Sequence, residues 1–434
     1  MGDREVRAPV AVPSSRPSLT RDEARAVIAA RAFDGPLDQL SADRLVGIEL
    51  EWLAIDAAEP PRPVPLERVE HAARAVCPLP AGGLLTFEPG GQVELSSPPL
   101  PLLLACDATT TDAHVLGDAL AAEGVALVAL GLEPGPRRAR AVHSARYDAM
   151  EAHFDRRGPA GRTMMRSTAA LQVNLALGRG DEIERRWRAA HAIGPLLAAA
   201  FANSPIGSSG PTGQQSTRLA VWSRIDGGRT RHPALDRECR DAWADFVLAS
   251  DVMLVRATTD RHVPVLRRFS FAEWIDVGHE LGWPTLDDLD YHLTTLFPPV
   301  RPRGWLELRM IDAVPDPWWR VAVALSAVLV QHPAAFELVA DALAPIRGRW
   351  DVAARDALHD VRFATAAQEC FRVARIALPD AGADDATLAA FDEYVSRYVS
   401  RGRTPADDRL DAWRSGHSPL PEPDNARRLA HAWI

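Results

Sequence analysis

The sequence contains no lysine, so all 49 of its basic residues are arginines. This absence excludes chemistry that needs a side-chain amine, such as the Gly-Lys-Ser/Thr loop of nucleoside triphosphatases, the protein-kinase lysine, lysine nucleophiles and pyridoxal Schiff bases. Any phosphate that the protein handles must therefore be neutralised by arginine or by a metal ion.

Cysteine is also scarce. The four cysteines lie far apart, with no Cys-x-x-Cys pair and no histidine at zinc-finger spacing: Cys77, Cys106, Cys239 and Cys370. We interpret them as reduced thiols in the core, and we expect no zinc site.

Long hydrophobic runs are missing as well. The longest, residues 193–202 and 321–330, are too short to cross a bilayer and are typical of buried helices. Residues 1–19 are rich in Pro, Ser and Arg, unlike the basic and apolar segments of a signal peptide. We therefore expect a cytoplasmic protein with no membrane partner.

The composition is that of a globular protein. The chain has 434 residues, of which 47% are hydrophobic and 25% charged, which excludes collagen-like, coiled-coil and wholly disordered structures. Its 49 basic and 58 acidic residues give a formal net charge of -9, which argues against a nucleic-acid partner. Small charged molecules remain possible substrates.

Local patterns predict a flexible N-terminal tail over residues 1–19 and a single domain over residues 20–434, mostly helical from about residue 318. A Thr-x-x-Glu capping box at Thr20 and Glu23 predicts a helix to about Ala32. Strand-like runs are expected to about residue 180, interrupted by a helix over 109–122. Further helices are expected over 181–201, 318–331 and most of 334–398, with a strand or short turn at 219–225 and a strand at 305–312.

Four predicted strands, within residues 47–52, 86–95, 171–175 and 305–310, share one alternation. In each of them polar side chains alternate with apolar ones, so the polar side chains share a face. These polar residues are Glu49, Glu51, Gln92, Glu94, Gln172, Asn174, Glu307 and Arg309, with Glu88 preceding a Pro-Gly-Gly turn. A polar face in water explains each strand alone. An antiparallel sheet with apolar helices over one face, an α+β fold, explains the four together.

The polar face of such a sheet collects five glutamates: Glu49, Glu51, Glu88, Glu94 and Glu307. Clustered carboxylates repel one another and destabilise the fold unless cations lie among them. Ligation by oxygen alone selects a hard ion such as magnesium or manganese. Because magnesium usually keeps substrate phosphates among its ligands, we expect a nucleoside triphosphate as its companion. The face is therefore predicted to be a phosphoryl-transfer site.

Arginine must supply the remaining positive charge at this site. Arg309 lies two residues after Glu307, on the same face, and can bind a phosphate or carboxylate through two hydrogen bonds. Arg218, four residues before Trp222, is interpreted either as a clamp for a substrate carboxylate or, equally, as a solvated surface arginine. Two weaker candidates of the same kind are Arg229 and Arg301.

These segments and their order resemble a known family. They are Gly47-Ile48-Glu49-Leu50-Glu51, Phe87-Glu88-Pro89-Gly90-Gly91-Gln92-Val93-Glu94-Leu95-Ser96, Gln172-Val173-Asn174-Leu175, Ala202-Asn203-Ser204-Pro205, Ser216-x-Arg218-x-x-x-Trp222, His292-Leu293-Thr294-Thr295-x-Phe297-Pro298-x-Val300-Arg301 and Leu306-Glu307-Leu308-Arg309. The ordered set, over roughly residues 45–330, resembles the glutamate-cysteine ligases of the plant and proteobacterial type. It is most similar to the actinobacterial form that supplies γ-glutamylcysteine to ergothioneine synthesis.

The resemblance implies a glutamine-synthetase-like fold, a curved antiparallel sheet with a polar active-site face and helices outside. It also implies a single catalytic ligase domain in which ATP, as co-substrate, and two or more Mg2+ ions activate the γ-carboxylate of glutamate as an acyl phosphate. The α-amine of cysteine then attacks this acyl phosphate. By the same resemblance the metal ligands are Glu49, Glu51, Glu88, Glu94 and Glu307, the catalytic residues are Glu307 and Arg309, and the substrate-binding residues are Gln172, Asn174, Arg218 and Trp222.

Two other functions remain open. A related carboxylate-amine ligase would use glutamate with a different amine, because the amine pocket has no recognisable motif. A catalytically inactive binding protein on the same fold is the second alternative, although both carboxylate pairs and Arg309 are present. The expected partners are small-molecule substrates, and the sequence does not predict the oligomeric state.

Overall fold

The long strand β1 lies inside an antiparallel sheet and pairs with most of its other strands. The computed structural model describes residues 19–34, 44–58, 62–258 and 260–426. The strands in these ranges are β1 (Leu45–Asp56), β2 (Leu84–Phe87), β3 (Val93–Ser96), β4 (Leu100–Pro101), β5 (Val125–Val128), β6 (Ala170–Ala176), β7 (Ile206–Gly207), β8 (Gly210–Pro211), β9 (Leu254–Thr258), β10 (Arg261–Pro264), β11 (Val300–Pro302) and β12 (Trp305–Asp312).

Helices make up most of the remainder of the described chain. They are α1 (Arg21–Phe33), α2 (Leu66–Arg74), α3 (Leu102–Ala122), α4 (Ala145–Asp155), α5 (Ala160–Ser167), α6 (Asp181–Ala200), α7 (Thr217–Trp222), α8 (Gly227–Thr230), α9 (Cys239–Ala249), α10 (Phe271–Val277), α11 (Leu286–Leu293), α12 (Trp318–Gln331), α13 (Ala335–Leu343), α14 (Trp350–Arg355), α15 (Val361–Ala377), α16 (Asp385–Arg397) and α17 (Pro405–Arg414).

The main sheet of the described residues has eight strands. Its order is β11-β12-β6-β1-β3-β2, and β4 and β5 also pair with β1. The β1 strand pairs with β6 and β3 along its first part and with β5 along its last four residues, always antiparallel. Because directly opposite residues of paired strands share a face, the alternation in each strand adds up across the sheet.

One face of this sheet is apolar and covered by helices. Ile48, Leu50, Val173 and Leu308 are buried there, and α6 and α12 pack against β12 and β6. Burial of these large side chains away from water is the main stabilising contribution at this layer. The predicted α+β architecture, with helices outside an antiparallel sheet, is confirmed.

The N-terminal helix begins where the capping box predicts. The Thr20 hydroxyl accepts the Glu23 backbone N–H at 3.2 Å, and the Glu23 carboxylate accepts the Thr20 N–H at 2.8 Å. The predicted tail lies outside the described residues except for Leu19, which is 2% exposed in the core. The single domain over residues 20–434 stays a prediction.

Several secondary-structure expectations were wrong. Strand-like runs do not dominate to residue 180, because α2, α4 and α5 lie in that region, and α3 starts at Leu102, not at 109. Residues 217–222 form the helix α7, where a strand or short turn was expected. The side chains of Ser144 and Ser216 accept backbone N–H groups at the starts of α4 and α7, and these caps outweigh the β-propensity that the sequence shows.

The interpretation of the cysteines needs one correction. Cys106, Cys239 and Cys370 are buried free thiols, as expected, but Cys77 is exposed. It lies in the connection between α2 and β2, outside the core. The expectation that all four thiols belong to the core was therefore wrong for Cys77.

Among the described residues no single helix is long and apolar enough to cross a membrane. The segments Trp318–Gln331 and Ala335–Ile346 pass that test only as a pair, and they are bent by 101° at their junction. The cytoplasmic location and the lack of nucleic-acid and membrane partners stay predictions.

Candidate active site

The polar face of the sheet presents two glutamates of β1 next to two amides of β6. Glu49 lies directly opposite Gln172 in the register of the two strands. Asn174 donates a side-chain hydrogen bond to Glu49 at 2.9 Å, and Gln172 donates one to Glu51 at 3.0 Å. Glu51 also accepts the backbone N–H of Ala170 at 2.8 Å. The amides therefore hold both carboxylates of β1 in place.

On the other side of β1, the hairpin of β2 and β3 contributes two further glutamates. Glu94 lies directly opposite Glu51 and accepts the Thr86 hydroxyl hydrogen at 2.6 Å. Glu88 occupies the start of the predicted Pro-Gly-Gly turn, and its backbone oxygen accepts the backbone N–H of Gly91 at 2.8 Å. Gly91 has φ of 80°, a left-handed conformation that favours glycine. The turn thus folds Glu88 back beside Glu94.

Glu307 on β12 is surrounded by arginines. Arg301, its register partner on β11, binds it through two hydrogen bonds of 2.5 and 2.9 Å. Arg309 lies 3.0 Å and Arg303 3.4 Å from its oxygens. Burial acts to raise the pKa of Glu307, but Arg301 and Arg309 outweigh it, so the pKa is well below its usual range. Glu307 is therefore a carboxylate anion with three cationic neighbours.

Arg309 links Glu307 to the β6 amides and to an aromatic wall. Its guanidinium donates a hydrogen bond to the Gln172 side-chain oxygen and lies 5.8 and 6.0 Å from the ring centres of Trp222 and Phe297. Its Nε has no hydrogen-bond partner among the residues that the structure describes. A buried arginine with an unpaired donor can bind a further anionic oxygen.

Arg218 is buried, so its interpretation as a solvated surface arginine was wrong. Its side chain donates a hydrogen bond to the backbone oxygen of Arg309 at 2.8 Å and lies 3.9 Å from Asp312. Its guanidinium is 5.6 Å from the ring centre of Trp222. The helix α7 therefore places Arg218 and Trp222 together beside Arg309.

Asp312, at the end of β12, fixes the segment that precedes α7. Its carboxylate accepts the backbone N–H of Asn203 at 2.9 Å and the hydroxyl hydrogens of Ser204 and Ser216 at 2.7 and 2.9 Å. This network explains the Asn-Ser-Pro motif as a support for the site, because Ser216 is also the N-cap of α7.

Arg229, the other weak arginine candidate, does not belong to the site. It is fully buried and bonded to Asp226 at 3.0 Å, to the backbone oxygen of Thr295 at 2.7 Å and to that of Asp251. All of its contacts are structural, and it lines none of the cavities described below.

The pKa values of the other four glutamates, which lie on β1, on β3 and in the turn after β2, are shifted in the opposite direction from that of Glu307. Burial, followed by repulsion from a neighbouring carboxylate, raises the pKa of Glu51, Glu88 and Glu94 well above the usual range. Burial and repulsion from Glu307 also raise the pKa of Glu49. Four partly buried carboxylates whose pKa values are all raised are typical of a site that binds cations.

These residues enclose a cavity of about 290 Å3. Its wall contains nine of the ten predicted site residues: Glu49, Glu51, Glu88, Glu94, Gln172, Arg218, Trp222, Glu307 and Arg309. Asn174, the tenth, contacts Glu49 from the adjacent strand. The structure therefore brings the predicted residues together, and their individual roles stay predictions.

The donor set fits hard divalent cations. All-oxygen donors on three strands border the cavity, and the carboxylates lack enough cationic neighbours on the β3 side. Among the described residues no three of these glutamates bring oxygens within 4.8 Å of one another; such a group occurs only at Glu184, Glu238 and Cys239. The site glutamates thus surround an open space, as expected where substrate oxygens complete the coordination of Mg2+.

The cavity wall also contains residues that the sequence analysis missed. Arg146 and Tyr147 reach it from α4, and Arg303 follows β11. Arg303 was detectable, because it repeats the two-residue spacing from Arg301. Arg146 and Tyr147 lie on a helix that was not predicted, and no local pattern marks them.

Comparisons with known proteins identify the family of the chain. The chain belongs to the glutamate-cysteine ligase family 2 (GCS2), whose family profile matches residues 45–424. The resemblance seen in the sequence motifs is therefore confirmed.

Two mycobacterial glutamate-cysteine ligases match this chain over most of the length of both proteins. The chain is 40% identical over 392 residues to the glutamate-cysteine ligase EgtA of Mycobacterium tuberculosis, which covers 87% of each chain. It is 41% identical over 399 residues to EgtA of Mycolicibacterium smegmatis, covering 90% of this chain and 91% of the relative. The chloroplastic glutamate-cysteine ligase of Medicago truncatula is 32% identical over 255 residues, which is 57% of this chain and 49% of the plant protein.

A solved structure shares the fold. The glutamate-cysteine ligase of Francisella tularensis, crystallised in complex with AMP, superposes with a TM-score of 0.51 at 12% identity, covering 90% of this chain and 87% of that one. At this identity the likeness concerns the fold alone.

Proposed function

We propose that the protein is an ATP-dependent glutamate-cysteine ligase. It joins the γ-carboxylate of L-glutamate to the α-amine of L-cysteine through a γ-glutamyl phosphate and yields γ-glutamylcysteine. The observation that carries the proposal is the convergence of glutamates and arginines from separate strands around one cavity. Membership of the family and the identity to the EgtA relatives support the same reaction.

The glutamates of β1, β2 and β3 are proposed to hold Mg2+, with two or more ions in the site. The ligands are Glu49, Glu51, Glu88 and Glu94, with Glu307 as the fifth carboxylate of the set. When bound, Mg2+ neutralises ATP phosphates and polarises the transferred phosphoryl group. The side chains themselves position the ions, and the amides of Gln172 and Asn174 orient Glu51 and Glu49.

Arg309 is proposed to stabilise the charge that develops on the transferred phosphoryl oxygens. Glu307 holds its guanidinium at 3.0 Å, so the positive charge is in place before the reaction begins. Such preorganised donors act strongly in a buried site, because water does not have to be rearranged. Arg218, with Trp222 packed against it, is proposed to bind a substrate carboxylate.

The proposed reaction has two steps, transfer of a phosphoryl group and then attack by the amine. An oxygen of the glutamate γ-carboxylate attacks the γ-phosphorus of ATP, and ADP leaves. The cysteine amine next forms the C–N bond at the acyl carbon while the C–O bond to phosphate breaks, with release of phosphate and a proton. We further propose that the product feeds ergothioneine biosynthesis, as the sequence resemblance implies.

The test is phosphate release with ATP, Mg2+ and glutamate, measured with a series of amines. We expect cysteine to give the highest kcat/KM and a product with the mass of γ-glutamylcysteine. A better amine than cysteine would establish the alternative acceptor in its place. Zero ATP turnover with all substrates present would favour an inactive binding protein and contradict the proposal.

A further inference from the structure

A second cavity of about 520 Å3 lies beside the active-site cavity. The two cavities share Arg218, Trp222, Phe297 and Arg309 as a common wall. A third cavity, of about 590 Å3, shares Glu88 and other residues of the carboxylate side with the active site. The active-site cavity therefore adjoins one cavity lined by carboxylates and one lined by arginines, and the two share different residues of its wall.

The wall of the second cavity contains more arginines than carboxylates. Its wall includes Arg218, Arg224, Arg231, Arg309 and Arg355, and its only carboxylate among the described residues is Asp351. Arg224 has no carboxylate within 4.0 Å in the part of the chain that the structure describes. Three of the five arginines have a carboxylate partner: Arg309 has Glu307 at 3.0 Å, Arg218 has Asp312 at 3.9 Å and Arg355 has Asp356 at 2.7 Å. The positive charge that no carboxylate of the described residues balances is that of Arg224 and Arg231, and this charge favours an anionic ligand.

The helix α14 forms one side of this cavity and is tied to the active site. The backbone oxygen of Ala354 accepts the N–H groups of Gln215 and Ser216, both at 2.9 Å. Trp350 packs directly against Gly194 of α6, where an added Cβ would lie 2.7 Å from its ring. These contacts fix the position of α14, and its last residue, Arg355, lines the cavity. The Arg355 guanidinium donates hydrogen bonds to the Asp356 carboxylate, the shortest at 2.7 Å.

We propose that Arg224 and Arg355 bind the α-carboxylate of the amine substrate in this second cavity, so that α14 determines acceptor specificity. The inference rests on the proposed ligase function. The γ-carboxylate of glutamate must reach the carboxylate-lined end, where the ATP phosphates and their cations bind. In this proposal the amine approaches the acyl carbon from the second cavity, on the side of Arg218 and Trp222, which line both cavities.

The experiment compares cysteine with cysteamine, which has the same amine and thiol but no carboxylate. The double variant Arg224→Gln/Arg355→Gln removes both charges at exposed positions, where the fold tolerates the change. Arg347→Gln, an exposed arginine of the same region that lines none of these cavities, is the matched control. The kcat/KM for each amine is measured at saturating ATP and glutamate.

We expect kcat/KM for cysteine to fall about tenfold or more in the double variant, since charge-assisted hydrogen bonds to a carboxylate are lost. The value for cysteamine should stay within about twofold, as should KM for ATP and glutamate, so the preference for cysteine over cysteamine shrinks by the same tenfold factor. The control should retain the wild-type preference.

Two results would overturn the inference while leaving the proposed function intact. One is an unchanged cysteine-to-cysteamine preference in the double variant with full ligase turnover. The other is a rise in KM for glutamate in place of cysteine, which would assign the cavity to the donor. An absence of glutamate-dependent ATP turnover in the wild type would instead overturn the proposed function and this inference with it.

Discussion

Glu51 on β1 and Glu94 on β3 are direct cross-strand partners, with both carboxylates on the polar face of the sheet. Like charges opposite each other destabilise a sheet. Their hydrogen-bond donors among the described residues are neutral: two amides at Glu51 and a hydroxyl at Glu94. The attraction of Arg218 and Arg309 is smaller than the effects of burial and of the neighbouring carboxylates. In the proposed function, cations bind between or beside the two carboxylates and offset this repulsion.

Replacing one partner of this pair should therefore stabilise the metal-free protein while destroying activity. We expect Glu94→Gln to raise the free energy of unfolding in EDTA by about 1 kcal/mol, because the cross-strand repulsion is removed. Turnover with ATP, Mg2+ and both amino acids should fall at least about 100-fold. Thermal unfolding and phosphate release measure the two effects; a less stable variant with wild-type turnover would contradict both roles.

Glu307 and Glu49 should differ in stability although both are needed for turnover. Glu307→Gln leaves Arg301 buried without its anionic partner, so we expect a cost of about 3 kcal/mol in urea unfolding. Glu49→Gln should cost less than about 1 kcal/mol, because its pKa is already raised by burial. Both variants should fold and be inactive. Equal unfolding free energies of the two variants would show that Glu307 is not needed to stabilise the buried Arg301. Wild-type turnover in both variants would show that neither residue takes part in catalysis.

Arg309→Ala should act on the chemical step more than on substrate binding. We expect kcat to fall about 100-fold to 1000-fold, while KM for glutamate changes by less than about threefold. Steady-state kinetics at saturating Mg2+ separate the two constants. Arg303→Ala is the comparison, because Arg303 lies farther from Glu307, at 3.4 Å, and is more exposed; its effect on kcat should be smaller. An unchanged kcat in Arg309→Ala would refute the assignment.

Replacement of Asp312 should lower the free energy of unfolding, because its carboxylate supports the segment before α7. Asp312→Ala leaves the buried donors of Asn203, Ser204 and Ser216 without an acceptor. We expect the free energy of unfolding to fall by about 3 kcal/mol. Asp312→Asn keeps an acceptor and should lose less. Urea titration of the two variants checks this order, and equal losses would mean that the charge, not the hydrogen bonds, stabilises the segment.

Asp424 should make the stability depend on pH. Burial raises its pKa to about 7 in the folded protein, with Trp52 donating a hydrogen bond of 2.7 Å that acts in the opposite direction. The folded state therefore holds this proton more tightly than the unfolded state, whose aspartate has a pKa of about 3.9. The contribution is complete below about pH 4 and is lost as pH rises towards 7, by about 4 kcal/mol.

The matched variant for that pH effect is Asp424→Asn, which keeps an oxygen for the Trp52 N–H. The difference in unfolding free energy between variant and wild type should grow in favour of the variant from pH 4 to pH 7. A difference that stays constant over this range would show that Asp424 has an ordinary pKa.

The parts of the site that the sequence could predict are those encoded in local alternation. Glu49 and Glu51, or Glu307 and Arg309, share a face because a strand repeats every two residues. The hairpin turn at Gly91 is local too. The register that puts Glu51 opposite Glu94 depends on pairing between segments that are distant in the sequence. The alternation on both strands nevertheless predicts that both side chains lie on the polar face.

The remaining features depend on tertiary packing. Arg218 has the same local pattern whether it is buried or exposed, and only the closure of α7 over β12 buries it. The three arginines around Glu307 meet through the pairing of β11 with β12. Arg146 and Tyr147 come from a helix that begins at the Ser144 cap, and a single serine before a polar segment does not by itself predict a helix.

The most direct test of the account follows oxygen from glutamate to phosphate. The protein is incubated with ATP, Mg2+, cysteine and glutamate labelled with 18O in the γ-carboxylate, and the released phosphate is analysed by mass. The account predicts one labelled oxygen in each phosphate, because the acyl phosphate carries a glutamate oxygen to the leaving group. Phosphate released without label while γ-glutamylcysteine forms would contradict it.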